Sequence, residues 1–255
     1  MPKTVTAALI IIGNEILSGR TRDENLPYLA EQLNEAGVRL TEARVVTDDE
    51  AEIVAAVNEC RARFDYVFTT GGIGPTHDDI TSDSIAAAFG VPIDYHPEAL
   101  AKMEAHYQRT GAEFNEARKR MARVPHGGVL VENPISTAPG YRIENVFVLA
   151  GVPVVMRAMF QSLRHQLDGG APVRSASLAA HLSEGQIAGG LAQLQARYPD
   201  IDIGSYPFYR GKRYGTSIVC RSADEDELAA AVAELRELMI GLGGEPIEEE
   251  ATDPA

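Results

Sequence analysis

The chain has no tryptophan and only two cysteines among its 255 residues. Cys60 and Cys220 lie far apart, which makes neither a disulfide framework nor the paired spacing of a zinc site. A reducing, cytoplasmic setting is therefore expected. Long apolar runs are also missing. The stretch from Ala7 to Ile12 is too short to span a bilayer, and it leads into Gly13-Asn14-Glu15 rather than a small-residue cleavage site. No membrane partner is expected. Positive charge is scarce: 23 lysines and arginines face 37 acids, for a formal net charge of −14. That balance argues against nucleic acid, because phosphate neutralisation dominates such affinity. It leaves room for a small phosphorylated ligand, which needs local donors and a metal rather than global charge. None of the six histidines is paired at metal-ligand spacing, and no Gly-x-Ser-x-Gly elbow or nucleophilic serine or cysteine arrangement is present.

What is present is hydrophobic patterning of an α/β kind. Val5 to Ile12 reads as a strand buried on both faces, and Gly13 to Arg22 as a turn-rich loop. Leu26, Leu29, Ala30, Leu33 and Ala36 recur at helical spacing, with Gly37 as the stop. Val38 to Val46 alternates like a strand. Thr47 or Asp48 can cap a helix carrying Ile53, Val54 and Val57. A strand over 65–69, a glycine loop and a helix over 78–89 follow. This βαβαβα order predicts a doubly wound, mostly parallel sheet between two helical layers, a three-layer α/β/α domain over 1–168. Residues 97–124 read as helical, Val129 to Glu132 and Asn145 to Ala150 as strands, and Gly151-Val152-Pro153 as the start of a helix to Leu167.

The paired glycines within Asp168 to Ala171 mark a linker. Beyond it, 172–243 reads as β-α-β-β-α, a small α+β module with Gly211-Lys212-Arg213 in the hairpin turn. Alternating apolar residues on such a module suit a dimer contact, so a homo-oligomer is expected. Residues 244–255 collect Glu245, Glu248, Glu249, Glu250 and Asp253 and read as a disordered acidic tail.

Chemistry concentrates in Thr69-Thr70-Gly71-Gly72-Ile73-Gly74-Pro75-Thr76-His77-Asp78-Asp79-Ile80-Thr81. It has neither the Lys-Ser/Thr of a Walker loop nor the dinucleotide fingerprint. A strand-to-helix turn capped by Thr76, with Asp79 at N3, explains one hydroxyl and one carboxylate. It does not explain three glycines and a second carboxylate, and strand-to-helix glycine loops are favoured anion sites. Asp48-Asp49 closes the preceding strand and would face the same way. There the acids either cap a helix or join a carboxylate pair that holds Mg²⁺ against phosphate. Gly13-Asn14-Glu15 and Ser18-Gly19-Arg20 form a third loop at that edge, and Asp23 and Asn25 can cap the first helix. Arg118, Lys119, Arg120 and Arg123 make a basic cluster, either a solvated face or a phosphate clamp.

Taken in order, several motifs resemble the molybdopterin-binding-type domain of the competence/damage-inducible protein A family. They are Gly13-Asn14-Glu15-Ile16-Leu17-Ser18-Gly19, Asp23-x-Asn25, Thr70 to Thr81, Asn133-Pro134, Thr137-Ala138-Pro139-Gly140 and Gly151-Val152-Pro153. The glycine loop is more distantly similar to that of the molybdenum cofactor biosynthesis proteins. The resemblance covers about 5–167, and 171–243 looks like the small domain that follows it in that family. It implies a sheet edge that binds a pterin or nucleotide phosphate, with divalent-metal-dependent cleavage of nucleotide diphosphates such as ADP-ribose; a related domain in eukaryotic FAD synthases acts on FAD. Molybdopterin is the alternative ligand, with adenylylation the alternative reaction, and a non-catalytic binding module is the third reading. The family often carries a C-terminal amidase acting on nicotinamide mononucleotide, and the chain ends too early for that activity to be expected.

On this resemblance the catalytic candidates are Asp48, Asp49, Asp78 and Asp79, with Asp79 and Asp49 as ligands for Mg²⁺, Mn²⁺ or Co²⁺. The phosphate-binding candidates are Gly13, Asn14, Glu15, Ser18, Thr70, Gly71, Gly72, Gly74, Thr81, Asn133, Thr137, Pro139, Gly140 and Gly151. Ser136, Ala150, Val155 and Ala117 depart from the pattern, and Val155 stands where an acidic residue is common.

Overall fold

The computed structural model describes residues 4–249 and divides the chain into two units, 1–170 and 171–255.

The first unit runs β1 (Val5–Ile12), α1 (Asn14–Leu17), α2 (Asn25–Glu35), β2 (Val38–Val46), α3 (Glu50–Arg63), β3 (Tyr66–Thr70), α4 (Thr81–Phe89), β4 (Ile93–Tyr95), α5 (Pro97–Thr110), α6 (Glu116–Lys119), β5 (Arg123–Pro125), β6 (Val129–Val131), β7 (Gly140–Ile143), β8 (Val146–Leu149) and α7 (Pro153–Leu163). Its main sheet has the order β2-β1-β3-β8-β7-β6. The first four are parallel and the β8-β7-β6 side is antiparallel. Strand alternation divides the core into two layers. Ala8, Ile10 and Ile12 of β1 pack with Ile53 and Val57 of α3 and Ile85 of α4. Ala7, Leu9 and Ile11 pack with Leu29 and Leu33 of α2 and Met156 and Phe160 of α7. Both faces of β1 are covered, which is why its sequence is apolar throughout from Ala7 to Ile12. The three-layer α/β/α expectation holds.

The second unit runs β9 (Arg174–Ala180), α8 (Glu184–Arg197), β10 (Asp202–Arg210), β11 (Arg213–Ser222), α9 (Glu225–Gly241) and β12 (Ile247–Glu249). Its antiparallel sheet has the order β10-β11-β9-β12. Gly211 and Lys212 both take positive φ, the two-residue turn that matches strand twist. Ile218 and Cys220 pack against Ile187, Leu194, Leu228 and Leu235, so this unit has a core of its own.

Several local expectations change. The acidic tail is not wholly unstructured: Ile247–Glu249 pairs with β9, and Glu249 accepts hydrogen bonds from Ser217 and Arg210. The remainder of that segment, 250–255, lies outside the described residues. The helix expected over 97–124 breaks at Gly111, whose φ of 71° ends α5. Helix α4 starts at Thr81, three residues later than expected, because 76–79 closes a turn of its own. Gly13 to Arg22 contains the short helix α1. Strands β4, β5 and β7 carry too few residues for alternation to reveal them.

Candidate functional site

The strand register gathers the sequence motifs along one edge. Ile12 pairs with Val46, Ile11 with Thr70, and Thr70 with Leu149, so β1, β2, β3 and β8 end side by side. The loops that follow them carry Gly13 to Ser18, Asp48-Asp49, Gly71 to Ile80 and Gly151. Tyr141 pairs antiparallel with Val148, which brings the 133–139 loop to the same edge. The chain leaves β1 for β2 on one side and returns as β3 on the other. A crevice at such a reversal is where open α/β sheets bind ligands.

The loops are tied to one another. Gly13 donates its N–H to Val46 O at 3.2 Å, and Asn14 N–H donates to Asp48 Oδ2 at 2.9 Å. The Ser18 hydroxyl donates to Glu15 O at 3.2 Å. Asp49 is the N-cap of α3, accepting from the amides of Ala51 and Glu52 at 2.9 and 3.2 Å. The cap is thus Asp49 rather than Thr47 or Asp48. One oxygen of each acid has a structural duty.

Within the glycine loop, packing explains much of the glycine pattern. A Cβ on Gly71 would lie 2.2 Å from Ile12 O, and φ there is 102°. A Cβ on Gly72 would lie 2.1 Å from the Thr81 hydroxyl. Thr81, fully buried, donates that hydroxyl proton to Gly71 O at 2.9 Å, and its N–H to Gly72 O. Thr81 therefore locks the loop instead of offering a proton to a ligand. The Gly71 N–H is also committed, to Leu149 O at 3.2 Å. Among the described residues, no hydrogen bond takes the N–H of Gly72 or Gly74. The hydroxyls of Thr69 and Thr70 are buried at the end of β3 with no partner among the described residues.

Asp78 and Asp79 converge. The Thr76 hydroxyl lies 2.6 Å from Asp78 Oδ1 and 2.5 Å from Asp79 Oδ2, and Thr76 N–H donates to Asp79 Oδ2 at 2.7 Å. One hydroxyl has one proton, so two carboxylates crowd a group that can satisfy one. The Thr76 hydroxyl, then the Asp78 backbone amide, hold the Asp78 carboxyl below the usual carboxylate range. His77 is almost wholly exposed and 3.9 Å from Asp78, a surface residue. Among the described residues, no three ligating side chains gather into a metal cage.

The 133–139 loop is held from inside. Asn133 donates to the Ser136 hydroxyl at 2.6 Å and Ala138 O at 2.8 Å, and accepts from the amides of Ile135 and Ser136. Ser136, a departure from the resembled motif, thereby stabilises the loop. Thr137 has φ of 69° and meets His106 Nδ1 at 3.0 Å. Asn133, Thr137 and Pro139 line a small pocket of about 180 Å³. Gly140 is required by packing: its Cβ would lie 2.6 Å from Val148 O.

Two residues gain roles that sequence reasoning did not assign. Asn25 does not cap α2: the cap position is Glu24, whose side chain makes no capping bond, and Asp23 just before it accepts from Leu26 N–H at 2.7 Å. Asn25 is 4% exposed, donates to Gly151 O at 2.8 Å, and has a buried Oδ1 with no partner among the described residues. Gly151 in turn abuts Gly71, where a Cβ would lie 3.1 Å from its Cα. The Asp-x-Asn pair carried the signal, but not the direction in which Asn25 reaches. Arg120 donates to Thr76 O at 3.4 Å, which singles it out within the basic cluster. Val155 and Ala150 pack against the apolar core, so Val155 stands in an apolar setting.

Residues 8–168 match the family model described as "Probable molybdopterin binding domain", which covers more than half of the chain. The chain belongs to this molybdopterin-binding-type family. Residues 172–241 match "FAD synthase, middle domain". A "Probable FAD synthase" of Caenorhabditis elegans is 32% identical over 94% of this chain and 51% of its own length. A protein of Symbiobacterium thermophilum named as competence-damage inducible is 32% identical over 90% of this chain and 56% of its own. The chain thus spans about half the length of these curated relatives. The solved structure of "the protein CinA with unknown function from Thermoplasma acidophilum" is 32% identical, with a TM-score of 0.59, over 64% of this chain and 99% of that one. The family resemblance read from the motifs holds, and the second unit gains a more specific relative. No helix among the described residues is long and apolar enough to cross a membrane.

Proposed function

We propose that the carboxyl edge of the first unit binds the diphosphate of a nucleotide and, with a divalent ion, hydrolyses it in the cytoplasm. The observation that carries this reading is the convergence of Asp78 and Asp79 on the single Thr76 proton, in the loop that closes β3. Two carboxylates so crowded are relieved by a cation. The donor set fits an ion shared with the ligand's own phosphates, as Mg²⁺ is commonly held by one or two carboxylates, and not a protein-only cage. Asp79, with the free oxygen of Asp49 or Asp48, would hold it. When bound, the ion supplies charge neutralisation and an activated water. The chain's own part is to orient. Gly72 and Gly74 offer N–H groups to phosphate oxygens, and the buried Thr70 hydroxyl offers a further donor at the end of β3. Thr76 fixes the direction of both carboxylates.

The test is a product-detecting screen of ADP-ribose and FAD with Mg²⁺, Mn²⁺, Co²⁺ and Ni²⁺. Turnover is expected with at least one pair. Asp79→Asn should abolish it while circular dichroism shows a folded chain; an active Asp79→Asn enzyme rules the assignment out.

A second reading is molybdopterin binding with adenylylation, favoured by the family's description. ATP-dependent modification of added molybdopterin, without diphosphate hydrolysis, would select it. The apolar setting of Val155 favours a third, a nucleotide-binding module without chemistry. Calorimetric binding with no product under any metal would select that one. Self-association belongs to the same proposal. The face of the second unit's sheet that carries Ser217 leaves Tyr206 and Ile247 exposed in register. Sedimentation as a dimer is expected, and a monomer at all concentrations removes this part.

A further inference from the structure

We infer that Arg120 is the cation that receives the ligand's phosphate at this edge; the inference rests on reading the glycine loop as a phosphate site. The basic cluster of the sequence is dismantled by the fold. Arg123 forms a two-pronged pair with Asp83 at 2.7 and 2.9 Å. Lys119 is 2.6 Å from Glu116. Arg118 donates to Glu113 O and lies over the Tyr107 ring. Arg120 is left. Among the described residues no carboxylate pairs with it, and its recorded hydrogen bond goes to Thr76 O. Thr76 is the residue whose N–H and hydroxyl hold Asp79. A guanidinium thus rests on the loop that carries both carboxylates, yet keeps its charge uncompensated in a chain of net charge −14.

Its position is prepared. Arg120 opens a single 3₁₀ turn over Arg120–Ala122, between α6 and β5. That turn is pinned on one side by the Arg123–Asp83 pair to the first turn of α4, and on the other by His96 N–H donating to Ala122 O at 2.8 Å. An ordered guanidinium loses little freedom on binding. It presents a planar fork of five N–H donors, with one engaged, which matches phosphate geometry. Its charge also offsets the repulsion that Asp78 and Asp79 would exert on an incoming phosphate.

The inference is tested on the full chain by titration calorimetry with inorganic pyrophosphate and with ADP-ribose, each with and without Mg²⁺. The chains are wild type, Arg120→Gln, Arg120→Lys and Lys119→Gln. Wild type should bind both probes. Arg120→Gln should weaken both about 10- to 100-fold, the range of a charge-assisted hydrogen bond. Arg120→Lys should recover part of that loss, since it keeps the charge and loses the fork. Lys119→Gln, whose charge Glu116 already meets, should bind like wild type. Equal affinity in wild type and Arg120→Gln overturns the inference and leaves the phosphate site standing. Equal weakening in Lys119→Gln and Arg120→Gln reports only bulk charge and also overturns it. A wild-type chain that binds neither probe removes the site and the inference together. If Arg120→Gln does not fold, Arg120→Lys decides: wild-type affinity for pyrophosphate in that variant overturns the two-pronged role.

Discussion

Glycine at this site answers two different demands, and single substitutions separate them. Gly71 takes positive φ and faces a backbone oxygen of β1, which cannot move without disturbing the sheet. Gly71→Ala should therefore cost at least about 2 kcal/mol, from strain and from the clash. Gly13 is extended, with φ of 162°, and its close neighbour is the movable carboxylate end of Glu15. Gly13→Ala should cost less than about 1 kcal/mol. Urea denaturation of the two variants compares them directly, and equal losses would contradict this division. The motif reading treated both glycines as ligand contacts. A residue string does not say whether a missing Cβ makes room for a ligand or for the chain itself.

At the scale of elements, Asp49 has two claims on it. Its side chain caps α3 through two backbone amides. Loss of a cap of this kind costs about 0.5–2 kcal/mol. Asp49→Ala should lower the melting temperature accordingly, whereas Asp49→Asn, which keeps an acceptor oxygen, should restore most of it. Turnover then separates the roles. An Asp49→Asn chain with wild-type stability and lost activity places the carboxylate charge in the chemistry; full activity leaves Asp49 as a cap. The long helices and long strands were legible because each carries several turns or pairs of periodic apolar residues. The three-residue strands β4, β5, β6 and β12 were harder. Val129–Val131 lies within the strand expected over Val129 to Glu132, while Ile247–Glu249 was hidden among acids that read as a tail. Strand pairing with β9 and the Ser217 hydrogen bond to Glu249 draw that acidic segment into a sheet.

At the scale of the molecule, the two units differ in architecture and each closes its own core. Among the described residues the second has twelve mutually packed buried residues, from Leu178 to Met239. A fragment of 171–249 should therefore fold alone, with a dispersed amide spectrum and cooperative thermal unfolding. A collapsed spectrum would show that this core is insufficient. Both cysteines are buried and unpaired, one in each unit, and burial pushes the Cys220 thiol up to about 11. Neither is placed to act as a nucleophile, in keeping with the absence of any nucleophile motif.

By itself the sequence determined the layer order, the division near residue 170 and the family, because these follow from local periodicity and from motifs spaced along the chain. Only the tertiary structure decided what each motif residue does. Parallel register brought four strand ends and their loops to one edge. Side-chain direction then committed Thr81 and the Gly71 amide to the chain, turned Asn25 toward Gly151, and set Arg120 on the Thr76 carbonyl with no carboxylate partner among the described residues. Hydrogen-bond donors are finite, and which of them remain for a ligand is known only once the contacts within the fold have taken their share.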